Sequence, residues 1–263
     1  MNKLKGYSLP LSPEGKANIL SAPPWYYSGS LLTVEYKANP EAVIALLPDQ
    51  MEPADEPEKV MVVFADWQSC SDDGNELTDP YYSQYKESFI VIGGKYKGKP
   101  VSRCVYIWVD KDFAMFRGWV QGFPKKIGAV EMTKPVDLGR AGLKLEKGGQ
   151  IAANTSVAGR RLIEAQVKLD SLTEKMPDLM TKQLHHTRYF PAIDHTGAAL
   201  EEFVTFSIED IEIGPVWKGH AELTFFDSPT EELFALAPRE VIGASYHKIA
   251  YTFKGGQVLE KTY

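Results

Sequence analysis

Several features that define other protein classes are scarce or absent in this chain of 263 residues. It has only two cysteines, Cys70 and Cys104, too few for a disulfide framework, so we expect a reducing, cytoplasmic location. No stretch approaches the roughly 18 apolar residues of a membrane-spanning helix, and the N-terminus lacks the apolar core of a signal peptide. The glycine-rich loops of nucleotide-binding proteins and the zinc-protease motif are also missing, so the sequence gives no sign of nucleotide binding or zinc-dependent proteolysis.

The charge balance argues against nucleic acid as a partner. Acidic residues number 35 and basic residues 29, which gives a net charge of -6 and a pI near 5.5. Phosphate backbones are bound by clustered basic surfaces, and none is visible here. The five histidines include the neighbours His185 and His186, which we interpret as surface or capping residues rather than metal ligands. We therefore expect a small-molecule partner, no membrane or nucleic acid, and neither a metal nor an organic cofactor.

Alternating apolar and polar residues predict a fold dominated by strands. Such runs recur throughout the chain, as in LLTVEYKA and KVMVVFADWQS. The runs YKESFIVIGG and VSRCVYIWVD are joined by a glycine turn and predict a hairpin. Because regular alternation of strands and helices is missing, the pattern favours an antiparallel β barrel or sandwich with a few helices. No linker or repeat divides the chain, so we expect one domain over residues 1–263, with residues 1–30 as an extended arm.

Helix signals are few and short. The segment NPEAVIALLPD has Asn39 as an N-cap and Pro40 at the first helical position, with Pro48 closing the helix. Serine N-caps predict two more helices in SLTEKMPDLMTK and SPTEELFAL. The segment FAMFRGWVQGFPKKIGAV is rich in aromatics and glycines, and we interpret it as a strand bent by a bulge.

A pair of adjacent lysines, Lys125 and Lys126, stands out within QGFPKKIG. A free lysine has a pKa of about 10.4, so very few lysine amines are neutral and nucleophilic at pH 7. Burial and a nearby cation both favour the neutral amine. Apolar neighbours could bury Lys125, and Lys126 could be the nearby cation. On a regular strand, however, successive side chains point to opposite faces. The simpler alternative is a solvated turn.

The run RGWVQGFPKKIG resembles the active-site segment of the acetoacetate decarboxylase superfamily, and acetoacetate decarboxylase is a standard example of a lysine activated in this way. Further segments match in order: VEYKANPEAVIALLP, YYSQYKES, EFVTFSIEDIEIGPVWKGHAELTFFD and PREVIGASYHKIA. The likeness covers most of the chain. It implies a mainly β (α+β) fold, an antiparallel closed β barrel or cone with a few short helices, and a homo-oligomer.

The same resemblance assigns site residues. Lys125 would be the nucleophile that forms a Schiff base, Lys126 its tuning neighbour, and Glu87 the active-site glutamate. The candidates for contacts to substrate are Gln121, Arg117, Tyr246, Trp119 and Phe123. Arg117 could instead pair with Glu87 or a backbone carbonyl, and Tyr246 could be a core residue. Trp67 could form an apolar wall.

Three departures from the decarboxylase pattern remove charge. Gly29 stands where the decarboxylases have an arginine, and Val62 and Gly118 stand where they have glutamates. Gln121, in contrast, resembles a branch that uses the lysine for aldol condensation and dehydration with pyruvate.

We therefore predict a lyase that acts on a small oxo acid through an imine and enamine on Lys125. Decarboxylation of a β-keto acid such as acetoacetate is the first reading. A pyruvate aldolase-dehydratase and a non-catalytic barrel that binds a small ligand are the alternatives.

Overall fold

The computed structural model describes residues 3–262, and strands dominate this part of the chain. The strands are β1 Trp25–Lys37, β2 Glu52–Pro53, β3 Lys59–Cys70, β4 Gln84–Tyr96, β5 Lys99–Val109, β6 Lys125–Ile127, β7 Ala129–Met132, β8 Gln150–Val157, β9 Arg160–Thr173, β10 His185–Pro191, β11 Ala198–Ile213, β12 Val216–Phe225 and β13 Glu240–Lys261. The helices are α1 Pro40–Ile44, α2 Pro80–Ser83 and α3 Asp112–Gln121, with 3-10 turns at Asn75–Thr78, Asp178–Thr181 and Glu232–Leu236. The mainly β prediction is confirmed.

All thirteen strands join one sheet, whose main path runs β6-β5-β4-β3-β1-β13-β12-β9-β8-β7. The prediction of a purely antiparallel, closed barrel is wrong on both points. The pairing of β5 with β6 is parallel, because helix α3 crosses over between them and brings the chain back in the same direction. The sheet is also open, since its terminal strands β6 and β7 each have a single partner and do not pair with each other.

The curved sheet buries apolar side chains on both faces. One face carries a core cluster that includes Val62, Phe64 and Tyr246. On the other face β5, β4, β3, β1, β13, β11 and β10 surround a second cluster, which helix α3 covers through Phe113 and Ala114. An isolated bridge between Ser102 of β5 and Leu184 brings the ends of this second group of strands together. We call the second face the inner cup.

The hairpin is confirmed, and the first helix forms where predicted but ends at Ile44, before Pro48. Strands β4 and β5 are joined by Lys97 and Gly98, which both have positive φ, as a two-residue hairpin turn requires. Helix α1 begins at Pro40 after Asn39, whose side chain accepts a hydrogen bond from the backbone N–H of Glu41 at 3.3 Å. Both elements follow from local rules alone.

The bent strand predicted after β5 is wrong, because residues 112–121 form helix α3. Its buried residues recur with helical spacing: Phe113, Ala114, Arg117, Gly118 and Gln121. The helix ends where Gly122 adopts a φ of 87°. Arg117 and Gln121, two of the five buried residues, are charged or polar, and they concealed the helical period.

The other helix predictions failed at their N-caps. Ser171 lies inside β9, and only the 3-10 turn Asp178–Thr181 forms, directly after Pro177. The segment beginning at Ser228 forms only the 3-10 turn Glu232–Leu236.

The predicted arm is shorter than expected, since β1 already begins at Trp25. No helix within residues 3–262 is long and apolar enough to cross a membrane. The single domain and the homo-oligomer stay predictions.

His185 and His186 are 2% and 0% exposed, which contradicts the surface role predicted for them. The His186 ring packs against Phe123 and Phe206 in the inner cup, whereas the His185 ring packs against Tyr96 and Phe203 on the other face of β10. His247 on β13 is also fully buried, and neither of its ring nitrogens has a hydrogen-bond partner within residues 3–262. Burial lowers the pKa of His247 to about 4.

This burial predicts a specific loss of stability in acid. Because the folded state binds the His247 proton less readily than the unfolded chain, the free energy of unfolding should fall as the pH drops from about 6.5 to about 4, by at most about 3 kcal/mol from this residue. The variant His247→Leu has no ring to titrate and no hydrogen bond to lose, so its stability should fall less over this window. Denaturant unfolding at each pH measures the difference, and equal slopes for both proteins would contradict the assignment.

Candidate active site

A buried ion pair lies at the centre of the inner cup. The Lys125 Nζ donates a hydrogen bond to Glu87 Oε2 at 2.7 Å, and the two side chains are only 8% and 9% exposed. Glu87 belongs to β4, and Lys125 opens β6 on the far side of β5. The structure therefore brings together the two residues that the sequence nominated as nucleophile and active-site glutamate.

Trp67 fixes the second oxygen of the carboxylate. Its indole Nε1 donates to Glu87 Oε1 at 3.0 Å, so Glu87 is held from two directions. The indole ring lies over Gly29 of the neighbouring strand β1, where a Cβ would stand only 2.3 Å from the ring. Glycine at the position of the family's arginine is thus required by the tryptophan that orients Glu87.

Gly118 makes room for the lysine itself. A Cβ built at this helical position would lie 2.4 Å from Lys125 Cδ and 2.6 Å from its Cγ. The aliphatic part of Lys125 therefore runs directly across the surface of α3. A side chain at this position would require the Lys125 chain to take a different path.

Three tyrosines border the ion pair and were missed as site residues by the sequence reasoning. The Lys125 Nζ lies 5.4 Å from the centre of the Tyr85 ring. Tyr27 and Tyr251 stack with ring centres 5.0 Å apart, and both pack edge-on against Trp67. Burial, and then the charge of Glu87, raises the pKa of Tyr85 well above 10. Burial likewise raises the pKa of Tyr251, so both phenols remain hydrogen-bond donors at any physiological pH.

Arg117 is a second buried cation of the cup. Its guanidinium donates to the Tyr27 hydroxyl at 2.8 Å and to Ser69 Oγ at 3.1 Å. Burial alone would lower the pKa of Arg117, but its neighbours, Tyr27 above all, outweigh burial and the pKa is raised. No carboxylate within residues 3–262 forms an ion pair with it, and its Nε has no hydrogen-bond partner there. Such a guanidinium is suited to bind a substrate carboxylate.

Lys126 points away from this pocket. In the register of β5 with β6, Lys125 is paired with Ile107 of the inner cup, whereas Lys126 is paired with Trp108 of the other core. Its Nζ binds Glu231 Oε1 at 2.5 Å. Strand β6 keeps the alternation of a regular strand, so the two amines point to opposite faces of the sheet. Lys126 is therefore no direct neighbour of the Lys125 amine.

Of the remaining candidates, Trp119 and Gln121 support the site from outside, whereas Phe123 borders the pocket. The Trp119 Nε1 donates to the Lys125 backbone carbonyl at 2.7 Å, and the Trp119 ring is 42% exposed. The Gln121 Oε1 accepts from the Gly256 N–H at 2.6 Å and ties α3 to β13. The Phe123 ring centre lies 5.9 Å from the Lys125 Nζ, so Phe123 does form a wall of the pocket.

Two nominated positions face the opposite side of the sheet. Tyr246 and Val62 belong to the other core cluster, so neither lines the Lys125 pocket. The reason is strand alternation, since the neighbours of Val62 on the inner face are Met61 and Val63. Tyr246 instead borders a separate cavity of about 600 Å³ whose lining does not include Lys125.

The arrangement provides a buried amine, a carboxylate that can take its proton, neutral phenols and a guanidinium. These groups suit condensation with a carbonyl compound and proton transfer at the resulting imine. Within residues 3–262 no group of three or more histidine, cysteine, aspartate or glutamate side chains could hold a metal ion. The tyrosines gave no sequence signal, because aromatic residues on strands are usual core residues.

Residues 8–263 match the family described as acetoacetate decarboxylase, and the chain belongs to that family, whose members are decarboxylases or related lyases. Acetoacetate decarboxylase 1 of Bradyrhizobium diazoefficiens is 25% identical, over 96% of this chain and 92% of that relative. The enduracididine biosynthesis enzyme MppR, solved with the condensation product of pyruvate and imidazole 4-carboxaldehyde, is 41% identical with a TM-score of 0.93, over 98% of this chain and 97% of its own. An acetoacetate decarboxylase-like enzyme from Sphingomonas wittichii is 25% identical with a TM-score of 0.89, over 98% of this chain and 100% of its own.

The contact between Gly118 and Lys125 can be tested by adding one methyl group. Gly118→Ala should displace the flexible lysine chain and weaken its contact with Glu87 while changing the unfolding free energy by no more than about 1 kcal/mol, because alanine also favours the helix. Acetylation of Lys125 by acetic anhydride, followed by mass spectrometry, should be several-fold faster than in the parent protein. The control is Gly243→Ala, where an added Cβ meets nothing closer than 3.8 Å. Identical Lys125 labelling in the parent protein and Gly118→Ala would refute the packing argument.

Proposed function

We propose that this protein is a Schiff-base lyase that condenses pyruvate with an aldehyde and then eliminates water. The observation that carries the proposal is the buried pair of Lys125 and Glu87, with the amine 2.7 Å from the carboxylate and neutral phenols beside it. The 41% identity to MppR, solved with pyruvate and with a pyruvate condensation product, supports this choice of substrate.

The first steps need a free amine. Glu87 takes a proton from the Lys125 ammonium, and the amine attacks the ketone carbon of pyruvate to form a carbinolamine. Glu87 gives this proton back to the carbinolamine hydroxyl, which leaves as water, so a C=N bond joins Lys125 to that carbon and the carboxylate is free again. The iminium withdraws electrons, so Glu87 can remove a methyl proton and leave an enamine. Trp67 keeps the carboxylate in reach of both protons through its 3.0 Å hydrogen bond.

The carboxylate of pyruvate would bind Arg117. This guanidinium lies on the same helical stripe as Gly118, over which the Lys125 chain runs, and Tyr27 and Ser69 hold it in place. A charge-assisted, bidentate contact would orient the ketone carbon toward the amine. It replaces the arginine that decarboxylases have at the position of Gly29.

The second half forms the new carbon–carbon bond. The enamine carbon attacks the aldehyde carbon, and the alkoxide produced takes a proton from a buried phenol, for which Tyr85 is best placed. Glu87 returns the methyl proton to the phenolate, then removes a further α proton and gives it to the hydroxyl, so that loss of water leaves a conjugated iminium. Hydrolysis releases the unsaturated oxo acid and returns Lys125 to its amine, so pyruvate and aldehyde give product and one water.

Decarboxylation of a β-keto acid such as acetoacetate is the second candidate. It shares the imine and enamine, and the 25% identity to a protein named acetoacetate decarboxylase favours it. The replacement of the family arginine by Gly29 beneath Trp67 argues for the condensation instead. A protein that binds a small ligand in the inner cup without turning it over is the third candidate.

Reductive trapping tests the shared first half. Incubation with pyruvate and borohydride should add the reduced pyruvate mass to Lys125, and Lys125→Met should abolish the adduct and lower turnover by at least about 1000-fold. Lys248→Met, which removes a lysine on the other side of β13, is the control. Absence of any adduct on Lys125 would refute the imine and favour a protein that only binds its ligand.

Product analysis separates the two reactions. Pyruvate with an aldehyde should yield an ultraviolet-absorbing conjugated acid. Release of carbon dioxide from acetoacetate at a higher kcat/KM would favour decarboxylation.

The carboxylate can be tested separately. Glu87→Gln keeps the shape and can still accept from Trp67, but it cannot take a proton, so kcat should fall about 100- to 10,000-fold. The exchange of the methyl protons of pyruvate into deuterated water, followed by NMR, should slow by a similar factor. Exchange that continues at the parent rate would show that another group removes the proton.

A further inference from the structure

A cleft of about 600 Å³ lies on the face of the sheet opposite the inner cup, and we call it the outer cleft. Strands β13, β1 and β3 form its floor, while the segment after β7 and the end of β11 form its rim. The floor residues on β1 and β3 stand at alternate positions and are polar: Ser28, Ser30, Asp66 and Gln68. The proposed function uses none of these side chains.

A buried tyrosine hydroxyl reaches the outer cleft from the core. Tyr246 is only 1% exposed and its ring packs in the core cluster on this face, yet the residue also lines the cleft. Its hydroxyl has no partner at hydrogen-bonding geometry within residues 3–262, although Ser30 and Asp66 lie near it. Burial raises the pKa of Tyr246, so the phenol keeps its proton and can donate it to a hydrogen bond. An unsatisfied buried donor is costly, and a ligand oxygen in the cleft would satisfy it.

The charges that line the outer cleft cancel. They comprise two carboxylates and two ammonium groups, on Asp66, Glu212, Lys134 and Lys248. Asp66 is already paired with Lys134 at 3.0 Å. The other polar side chains in the lining are those of serine, threonine, glutamine and tyrosine, which both donate and accept hydrogen bonds. Such a lining suits an uncharged ligand with several hydroxyl groups better than it suits an oxo acid or a phosphate.

The outer cleft lies directly behind the Lys125 pocket, on the other face of the same strands. Residues of its floor flank Gly29 on β1 and Trp67 on β3, and these two residues are paired in register. One layer of backbone therefore separates the cleft from the indole that holds Glu87. On β4, the residue of the cleft directly precedes Tyr85 of the pocket. A ligand that orders these strands from outside acts on residues that position Glu87 and Lys125.

We propose that the outer cleft is a regulatory site for a small, uncharged compound rich in hydroxyl groups. The bound compound would order β1 and β3, hold Trp67 against Glu87, and so make the Lys125 amine less reactive. The binding site goes beyond the proposed function, and only its effect on condensation rests on that function. Because such coupling is reciprocal, an imine on Lys125 would change the affinity of the cleft by the same factor.

Binding can be measured without turnover. The probes are D-ribose, D-glucose and myo-inositol, each titrated to about 50 mM and followed by saturation-transfer NMR, and at least one should bind the parent protein with a Kd of about 1 to 10 mM. Tyr246→Phe removes the unsatisfied donor and should weaken that binding about 3- to 10-fold. The matched control is Tyr36→Phe, which also removes a buried hydroxyl without a partner in residues 3–262, in the same core cluster but outside the lining of the cleft. Binding of no probe, or equal binding by the parent and Tyr246→Phe, would overturn the site.

The regulatory effect is read from the reactivity of the lysine. With the bound probe near saturation, acetylation of Lys125 by acetic anhydride should slow at least about 2-fold in the parent protein. Ser28→Leu places an apolar side chain in the outer cleft from an exposed position, so it should abolish binding and make the acetylation rate independent of the probe. A probe that binds the parent without changing Lys125 acetylation would refute the regulation. This outcome can be told from a failure of the proposed function, because neither measurement requires pyruvate.

Discussion

The ion pair between Lys125 and Glu87 is the interaction on which the rest of the site depends. Two charges with side chains less than 10% exposed are tolerated only when each is paired and hydrogen-bonded. Trp67 completes the coordination of the carboxylate, and the Trp119 indole holds the Lys125 backbone. Removal of either charge would leave the other buried without a partner, so the surrounding residues are constrained by this pair.

The departures from the decarboxylase pattern form one packing solution. Trp67 can reach Glu87 only because Gly29 leaves the face of β1 free, and Lys125 can lie across α3 only because Gly118 has no side chain. At two of the three positions that lack the charged residue of the decarboxylases, a neighbouring side chain fills the space. Trp67 fills the space beside Gly29, and Lys125 fills the space beside Gly118.

Adjacent lysines need not share an environment. Lys125 faces the inner cup with Glu87, while Lys126 crosses to Glu231 on the opposite face. The buried cation on the inner face is Arg117, whose neighbours are phenols and a serine rather than a carboxylate. Two cations and one carboxylate in an aromatic cup leave an excess of positive charge, which suits an anionic oxo acid.

Local rules in the sequence were sufficient for the strand-rich fold, the hairpin of β4 and β5 and the N-cap of α1, because turns and caps are set by a few neighbouring residues. The lysine pair and Glu87 were also found from sequence, through family resemblance. Helix α3, the open mixed sheet and the placement of Tyr27, Tyr85 and Tyr251 were decided only by tertiary structure. The physical reason is strand register: it determines which residues far apart in the chain share a face, and no local pattern specifies it.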